Sequence, residues 1–227
     1  MVKDLSVVIP CLNEEKGIAT CIKKIQEVFK YYKLHGEIII VDNGCTDNTI
    51  KVVESFNLSN LKIIFESNKG YGNAYLAGFK HVNNDVIILG DGDNSYDFYD
   101  IPKFLFKIND SDFVIGNRKY IIKGSMPPLH LYIGKPLFSF LLKNLFKLNI
   151  SDSHCGFGAI RKESLDKLKL SSSGMEFASE IIIKAKKQNL KISEIPITYY
   201  PRIGKSKLRT FRDGLRHLML IYYELFH

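Results

Sequence analysis

The 227-residue chain predicts an α/β fold, with a mostly parallel central sheet flanked by helices and a basic, amphipathic C-terminal extension. Three observations predict it. Strand-like and helix-like segments alternate through residue 116. The strand-like segments are continuous apolar runs, as expected for strands covered on both faces. The residues that follow them are polar or Gly-rich, and right-handed crossovers would bring them to one rim at the carboxyl ends of the strands, where such sheets bind ligands.

Each element has its own signal. Residues 5–9 form a β-branched run stopped by Pro10, and predict a buried strand. Residues 15–34 place Ile18, Cys21, Ile22, Ile25, Val28 and Phe29 at helical spacing. Residues 37–41 predict a second strand, and Thr46 or Asp47 can cap a helix through Phe56. A strand at 61–65, a helix at 71–82, a strand at 85–89, a helix at 97–108 and a strand at 112–115 complete the alternation. Beyond residue 116 the pattern changes. Residues 129–150 are apolar and aromatic but interrupted by Lys135, Lys143 and Lys147. Then come a strand at 156–160, a helix at 175–188, a strand at 192–197 and a final helix at 211–226.

Composition is that of a globular domain: 45% hydrophobic and 25% charged residues, with neither a low-complexity tract nor a fixed-period repeat. Met1-Val2-Lys3-Asp4 runs straight into the first strand, without a signal-peptide pattern. Cys11, Cys21, Cys45 and Cys155 make no CxxC pair, which argues against a zinc site or a disulfide framework. Charge divides the chain. Residues 1–116 carry 12 Lys+Arg against 16 Asp+Glu, and residues 117–227 carry 20 against 8. The back half therefore favours anions: phosphates, nucleic acid or an acidic membrane face. Its lysines are interleaved with aliphatic residues rather than arranged as a stacking platform, which disfavours nucleic acid.

Asp91-Gly92-Asp93 is the sharpest motif. Two carboxylates separated by one small residue, just past a buried strand, can share a hard divalent cation such as Mg²⁺ or Mn²⁺. An acidic turn is the plainer alternative. Asp42 suits either a base or ribose contact or a turn, and Asn13-Glu14 either a nucleotide contact or helix capping. Lys69 either reaches a phosphate or is an exposed loop lysine.

Taken together, Val8-Ile9-Pro10-Cys11-Leu12-Asn13-Glu14-Glu15, Val41-Asp42-Asn43-Gly44-Cys45-Thr46-Asp47, Asn68-Lys69-Gly70-Tyr71-Gly72-Asn73-Ala74 and Asp91-Gly92-Asp93 resemble the family 2 glycosyltransferases and their nucleotide-sugar-binding GT-A fold. Phe113-Val114-Ile115-Gly116-Asn117-Arg118, His154-Cys155-Gly156-Phe157, Gly174-Met175-Glu176-Phe177-Ala178-Ser179-Glu180 and residues 206–214 look like the dolichyl-phosphate mannose and glucose synthase branch. The chain departs from the family at Asn43 and Cys45, where Asp and Ser are usual. It also has Asn94-Ser95 where mannose synthases place a glutamine, which favours a UDP-hexose over GDP-mannose.

The resemblance implies one domain over residues 1–227, with a nucleotide-binding half (1–116) and an acceptor- and membrane-facing half (117–227). It implies an inverting transfer of a hexose or N-acetylhexosamine, with Mg²⁺ or Mn²⁺ on Asp91 and Asp93. The nucleotide sugar would be held by Pro10, Asn13, Glu14, Val41, Asp42, Asn43, Lys69, Gly92, Arg202 and Lys205. Residues 201–207 would fold over the donor phosphates, or form a solvated basic loop. The expected acceptor is a polyprenyl or dolichyl phosphate, held by Arg118 and Lys119. A hydroxyl acceptor would instead need a base, for which Asp152 and His154 are candidates. With lysines interrupting it, the 129–150 segment suits a helix lying in the membrane interface rather than spanning it. The chain is thus expected as a peripheral protein of the cytoplasmic membrane face, with homo-oligomerisation open. The alternatives are a soluble glycosyltransferase acting on a sugar or glycan and, outside enzymes, a basic nucleic-acid-binding module.

Overall fold

The computed structural model describes residues 2–204, 206–207 and 209–227. Its strands are β1 Asp4–Cys11, β2 His35–Asp42, β3 Leu61–Phe65, β4 Val86–Leu89, β5 Phe113–Ile121, β6 Gly158–Arg161 and β7 Ile192–Tyr199. They form one seven-stranded sheet in the order β3-β2-β1-β4-β6-β5-β7. β3, β2, β1 and β4 run parallel, as do β5 and β7. Only β6 is reversed, antiparallel to both β4 and β5. The helices are α1 Ile18–Tyr32, α2 Thr49–Glu54, α3 Tyr71–Phe79, α4 Ile101–Lys107, α5 Lys135–Phe146, α6 Lys162–Lys167, α7 Phe177–Lys187 and α8 Thr210–Phe226.

The continuous apolar runs are explained by cover on both faces. Neighbouring residues of a strand point to opposite faces. Val8 faces α3: a Cβ added at Gly78 would lie 2.6 Å from Val8 Cγ1 and 2.9 Å from Val41 Cγ2. Ile9 and Cys11 face the other way, towards Ile18 at the start of α1. α4 packs beside α1, and α7 beside α3, where Phe177 stacks on Tyr75 at 5.2 Å. Leu5, Val7, Val8, Ile9, Ile38, Ile39, Ile40 and Val41 are fully buried, each worth about 1.5–3 kcal/mol relative to exposure.

Several elements differ from the sequence expectation. β5 runs to Ile121, well past residue 115, because β7 pairs along its whole length. β6 inserts between β4 and β5, where chain order alone would place those two side by side. It is four residues long, and Gly158 lets its backbone approach closely: an added Cβ would meet Val114 O at 2.9 Å. α6 was not predicted; it is a short helix directly continuing β6. α2 starts at Thr49, and Asp47 caps it from outside by accepting from Thr49 N at 2.9 Å.

α8 is amphipathic in the inverted sense. Its inward residues are Asp213, His217, Ile221 and Glu224. Phe211, Leu215, Leu218, Met219, Tyr222 and Phe226 form an exposed stripe on its outer side. The helix is docked by polar contacts, among them Lys187 Nζ on Glu224 at 2.7 Å. Leu129, Tyr132, Ile133, Leu137 and Phe140, leading into and along α5, are exposed as well.

The absence of a side chain at Gly78 sets the spacing between α3 and the sheet. Gly78→Val should lower stability by about 1–3 kcal/mol through overpacking against Val8 and Val41. Urea denaturation would read this as a lower midpoint at unchanged slope.

Candidate active site

The loops after β1, β2 and β4 leave the sheet side by side. Cys11 pairs with Asp42 at the ends of β1 and β2, and Asn43 N donates to Cys11 O at 3.0 Å. Gly90 N donates to Val8 O at 3.3 Å and delivers Asp91-Gly92-Asp93 to the same rim. Gly92 must stay small: an added Cβ would meet Cys11 Sγ at 3.2 Å and Ile18 Cδ1 at 3.3 Å.

Asp91 accepts from the Tyr71 hydroxyl at 3.0 Å, and Gly156 backs the same carboxylate. Burial, together with the charge of Asp93, pushes the Asp91 carboxyl up to about 7. Asp93 is 3% exposed. Its Oδ1 accepts from Ser95 N at 2.9 Å, and its Oδ2 pairs with Arg202 Nη2 at 3.0 Å. The strap formed by residues 200–204 and 206–207, between β7 and α8, is fastened here: Tyr200 N donates to Ser95 O at 3.0 Å, and Ile203 N to Asp93 O at 2.9 Å.

The remaining residues expected to hold a nucleotide sugar divide into two groups. Glu14 faces the rim and the strap. Lys207 pairs with its Oε1 and donates to Asn13 O at 3.1 Å. Glu14 Oε2 is buried without a hydrogen-bond partner among the described residues, and burial raises this carboxyl. Pro10, Val41 and Asp42 lie at the ends of β1 and β2. Asp42 Oδ1 accepts from Gly44 N at 3.0 Å and Cys45 N at 2.8 Å, so the turn role weighed for it is present. The other group builds the loops. Asn13, in a left-handed backbone conformation (φ 58°), accepts from Thr46 N at 2.7 Å and clasps the loop after β2. Asn43 donates to Glu66 O and Asn68 O and accepts from Gly70 N at 2.7 Å. Its amide is thus committed to the loop that carries Lys69. Lys69 is exposed and lies along Gly44. Lys205 lies outside the described residues.

Arg118 is placed differently from the expectation of a phosphate-binding residue at a strand end. It sits inside β5, 9% exposed, and grips Asp152 through Nε at 2.8 Å and Nη2 at 2.7 Å. Its guanidinium also lies over the Tyr199 ring at 5.2 Å. Burial alone would raise Asp152, but Arg118 and Lys135 outweigh it and hold the carboxyl down at about 2. Lys135 Nζ is 3.2 Å from Asp152 Oδ2 and donates to Arg118 O at 3.2 Å. Two cations therefore share one carboxylate. Lys119 is exposed, near the Tyr120 ring, and turned away from Arg118 as its neighbour along the strand.

With this geometry in view, the comparisons with known proteins are decisive. The family model "Glycosyl transferase family 2" matches residues 6–169. The chain belongs to glycosyl transferase family 2. It is 41% identical over 219 residues to the low-salt glycan biosynthesis hexosyltransferase Agl6 of Haloferax volcanii, covering 94% of this chain and 52% of that protein. It is 33% identical to the dolichol-phosphate mannosyltransferase of Pyrococcus furiosus, covering 94% and 62%. To the dolichyl-phosphate hexose transferase of Haloferax volcanii it is 30% identical, covering 93% and 89%. The chain thus spans between half and two thirds of the length of the first two relatives. Glucosyl-3-phosphoglycerate synthase from Mycobacterium tuberculosis, solved with Mn²⁺, UDP and phosphoglyceric acid, shares the fold at TM-score 0.76 and 18% identity, covering 98% of this chain and 78% of that one.

The rim of this family 2 glycosyltransferase fits a divalent ion. Its donors are carboxylate oxygens, suited to Mg²⁺ or Mn²⁺. Asp91 and Asp93 stand one residue apart on this rim, and burial first, then the charge of Asp93, raises Asp91. Among the described residues, no cluster of three or more acidic, His or Cys side chains could hold a metal on its own. Three thiols gather beneath this rim, from Cys11, Cys21 and Cys45. Burial pushes the last two up to about 12 and about 11, which leaves them poor nucleophiles.

Sequence reasoning passed over Tyr71 as the residue that orients Asp91, Lys135 as the second partner of Asp152, and the surroundings of His154. The lysine interrupting the apolar 129–150 segment was the available signal for Lys135. His154 sits beneath α8. Its Nε2 is 3.2 Å from His217 Nδ1 and 3.0 Å from Ser179 Oγ, and Phe138 packs on both rings. Burial, and for His154 also the His217 ring, holds both imidazoles below the usual histidine range, His217 at about 4. Glu176 and Asp213 pull His217 the other way without overcoming burial.

His217 titrates at 6.5 when unfolded, so between pH 6.5 and about 4 the unfolded chain binds the proton and the folded chain does not. Its contribution to stability is complete above pH 6.5 and is lost as pH falls towards 4, by about 3 kcal/mol. Asp91, raised to about 7, acts with the opposite sign over part of this range, so the His217 share is read as a difference: in urea melts from pH 8 to 4, wild type should lose stability relative to His217→Gln as pH falls.

Proposed function

We propose that this chain transfers a hexose, with UDP-hexose the favoured donor, to the phosphate of a polyprenyl or dolichyl lipid at the cytoplasmic face of a membrane. The observation that carries the reading is the Asp91/Asp93 pair, lying at the carboxyl ends of the strands and covered by a cationic strap. The names of the hexosyltransferase and dolichyl-phosphate transferase relatives support the choice of hexose and acceptor.

In this reading Pro10, Val41 and Asp42 line the nucleoside end of the donor, and Arg202, Lys207 and Lys69 supply positive charge around the diphosphate. A divalent ion held by Asp91 and Asp93 would neutralise the diphosphate as its charge grows. Tyr71 fixes the rotamer of Asp91 towards the rim. The acceptor phosphate oxygen attacks the anomeric carbon from the face opposite the diphosphate. The bond from that carbon to the diphosphate oxygen breaks, and the configuration inverts. A phosphate is already ionised near neutral pH and needs no general base. The state of the two candidate bases agrees with this. Asp152 is locked between Arg118 and Lys135, and His154 is buried under α8. The excess positive charge of the Arg118–Lys135–Asp152 group supports an anionic acceptor nearby.

Among the described residues, no helix is long and apolar enough to cross a membrane. The outward stripe of α8 and the exposed apolar residues of α5 instead suit a lipid interface. Exposed Arg209, Arg212, Lys143 and Lys147 flank them and suit anionic headgroups.

Two experiments test the reading. Radiolabelled UDP- and GDP-hexoses, supplied with Mn²⁺ and dolichyl phosphate, should give label in the organic phase. Asp91→Asn and Asp93→Asn should each lower that yield by about a hundredfold or more. Label that stays in the aqueous phase for every donor would remove the lipid acceptor. Separately, the full chain should cosediment with anionic vesicles. The variant Phe211→Ser/Leu215→Ser/Met219→Ser should weaken this by at least about tenfold, since each buried apolar side chain contributes about 1.5 kcal/mol or more.

A further inference from the structure

The strap does more than cover the rim. Its two described cations sit on two acids that face the donor side. Arg202 Nη2 is 3.0 Å from Asp93 Oδ2, and Lys207 pairs with Glu14 Oε1. Between them lies Gly204, with φ at +108°, a backbone state that favours glycine. The backbone is pinned as well, since Ile203 N donates to Asp93 O at 2.9 Å. Asp93 is thereby engaged on every side: Oδ1 by Ser95 N at 2.9 Å, Oδ2 by Arg202, and its carbonyl by Ile203. Among the described residues, the hydrogen-bond donor to the Asp91 carboxylate is a neutral hydroxyl, from Tyr71. The two acids of the pair are therefore unequal. One carries a resident cation, while the other is held by a neutral hydroxyl.

We infer that Arg202 is a resident counter-ion of Asp93 which an incoming divalent metal has to displace, so that metal and nucleotide diphosphate bind together and the freed guanidinium passes to the diphosphate. This rests on Asp91 and Asp93 being the metal pair. The physical reason is charge. A divalent ion on Asp93 would lie against a guanidinium 3.0 Å from the same carboxylate, and like charges at that range repel. A diphosphate entering with the metal removes the conflict, because it offers the guanidinium a bidentate anionic partner. The strap keeps Arg202 within reach, since its attachments through Tyr200 and Lys207 do not involve the guanidinium. The strap is therefore a coupling device. Metal and nucleotide each raise the other's affinity, and by the same factor.

The test measures free Mn²⁺ by electron paramagnetic resonance during titration of the full chain, with and without UDP. For wild type, Mn²⁺ alone should bind weakly, and UDP should tighten it by about tenfold or more. Arg202→Ala should tighten Mn²⁺ alone by about three- to tenfold and shrink the UDP effect, while Arg202→Lys keeps a cation on Asp93 and should stay near wild type. Two results would overturn the inference: wild type binding Mn²⁺ equally well with and without UDP, or a folded Arg202→Ala variant binding Mn²⁺ alone no tighter than wild type. Mn²⁺ bound by free UDP is subtracted with a protein-free titration, and Arg202→Gln, which removes the charge and keeps a long side chain, replaces Arg202→Ala if that variant does not fold. Asp93→Asn separates the two levels. Loss of Mn²⁺·UDP binding there, with Arg202→Ala unchanged, overturns the counter-ion role and leaves the metal pair standing. Mn²⁺·UDP binding that survives Asp93→Asn removes the metal pair and the counter-ion role with it.

Discussion

Two acidic side chains one residue apart at the end of a buried strand repel each other and are costly to bury without cations nearby, and much of this structure answers that requirement. Burial and mutual repulsion raise Asp91 to about 7, and Arg202 stands on Asp93. Gly92 brings the pair against α1, and Tyr71 and Gly156 shape the space around Asp91. Removing water from this rim strengthens every such interaction, so a small shift of the strap changes the charge balance of the whole site.

A second ionic node organises the other half. Asp152 is buried, yet Arg118 and Lys135 hold it ionised, and through it they tie β5 to the start of α5. Such a triad adds little net stability, since desolvation offsets most of the attraction. What it provides is placement: two cations fixed on one carboxylate, with the Arg118 guanidinium over the Tyr199 ring at the end of β7. The inverted α8 follows the same economy. Among the described residues, its contacts include the Ser179–His217 hydrogen bond and the ion pairs Lys187–Glu224 and Arg216–Glu176, while the apolar stripe stays exposed.

The legible parts were those in which one local rule acted alone. The strand cores, the periodicity of α1 and the Asp91-Gly92-Asp93 turn each carry their signal within a few residues. The family 2 motifs also ran in order along the chain, and the match bears out the family they pointed to. Asn43 and Asn13 show the limit. Their residue types suit a ligand contact, but both amides are engaged by neighbouring loops, and side-chain hydrogen bonding of that kind depends on which loops meet.

Sequence by itself determined the alternating core, the glycines that let loops approach one another, and the family, because these rest on local propensity and on short motifs in fixed order. Tertiary structure alone decided the reversed β6, the grip of Arg118 and Lys135 on Asp152, the histidine pair under α8, and the pairing of Arg202 with Asp93. Those contacts join residues between 17 and more than a hundred positions apart, and no periodicity reports them. Long-range ion pairs and reversed strands are chosen by the geometry of the packed chain, where burial cost is balanced by whichever partner the fold brings within reach.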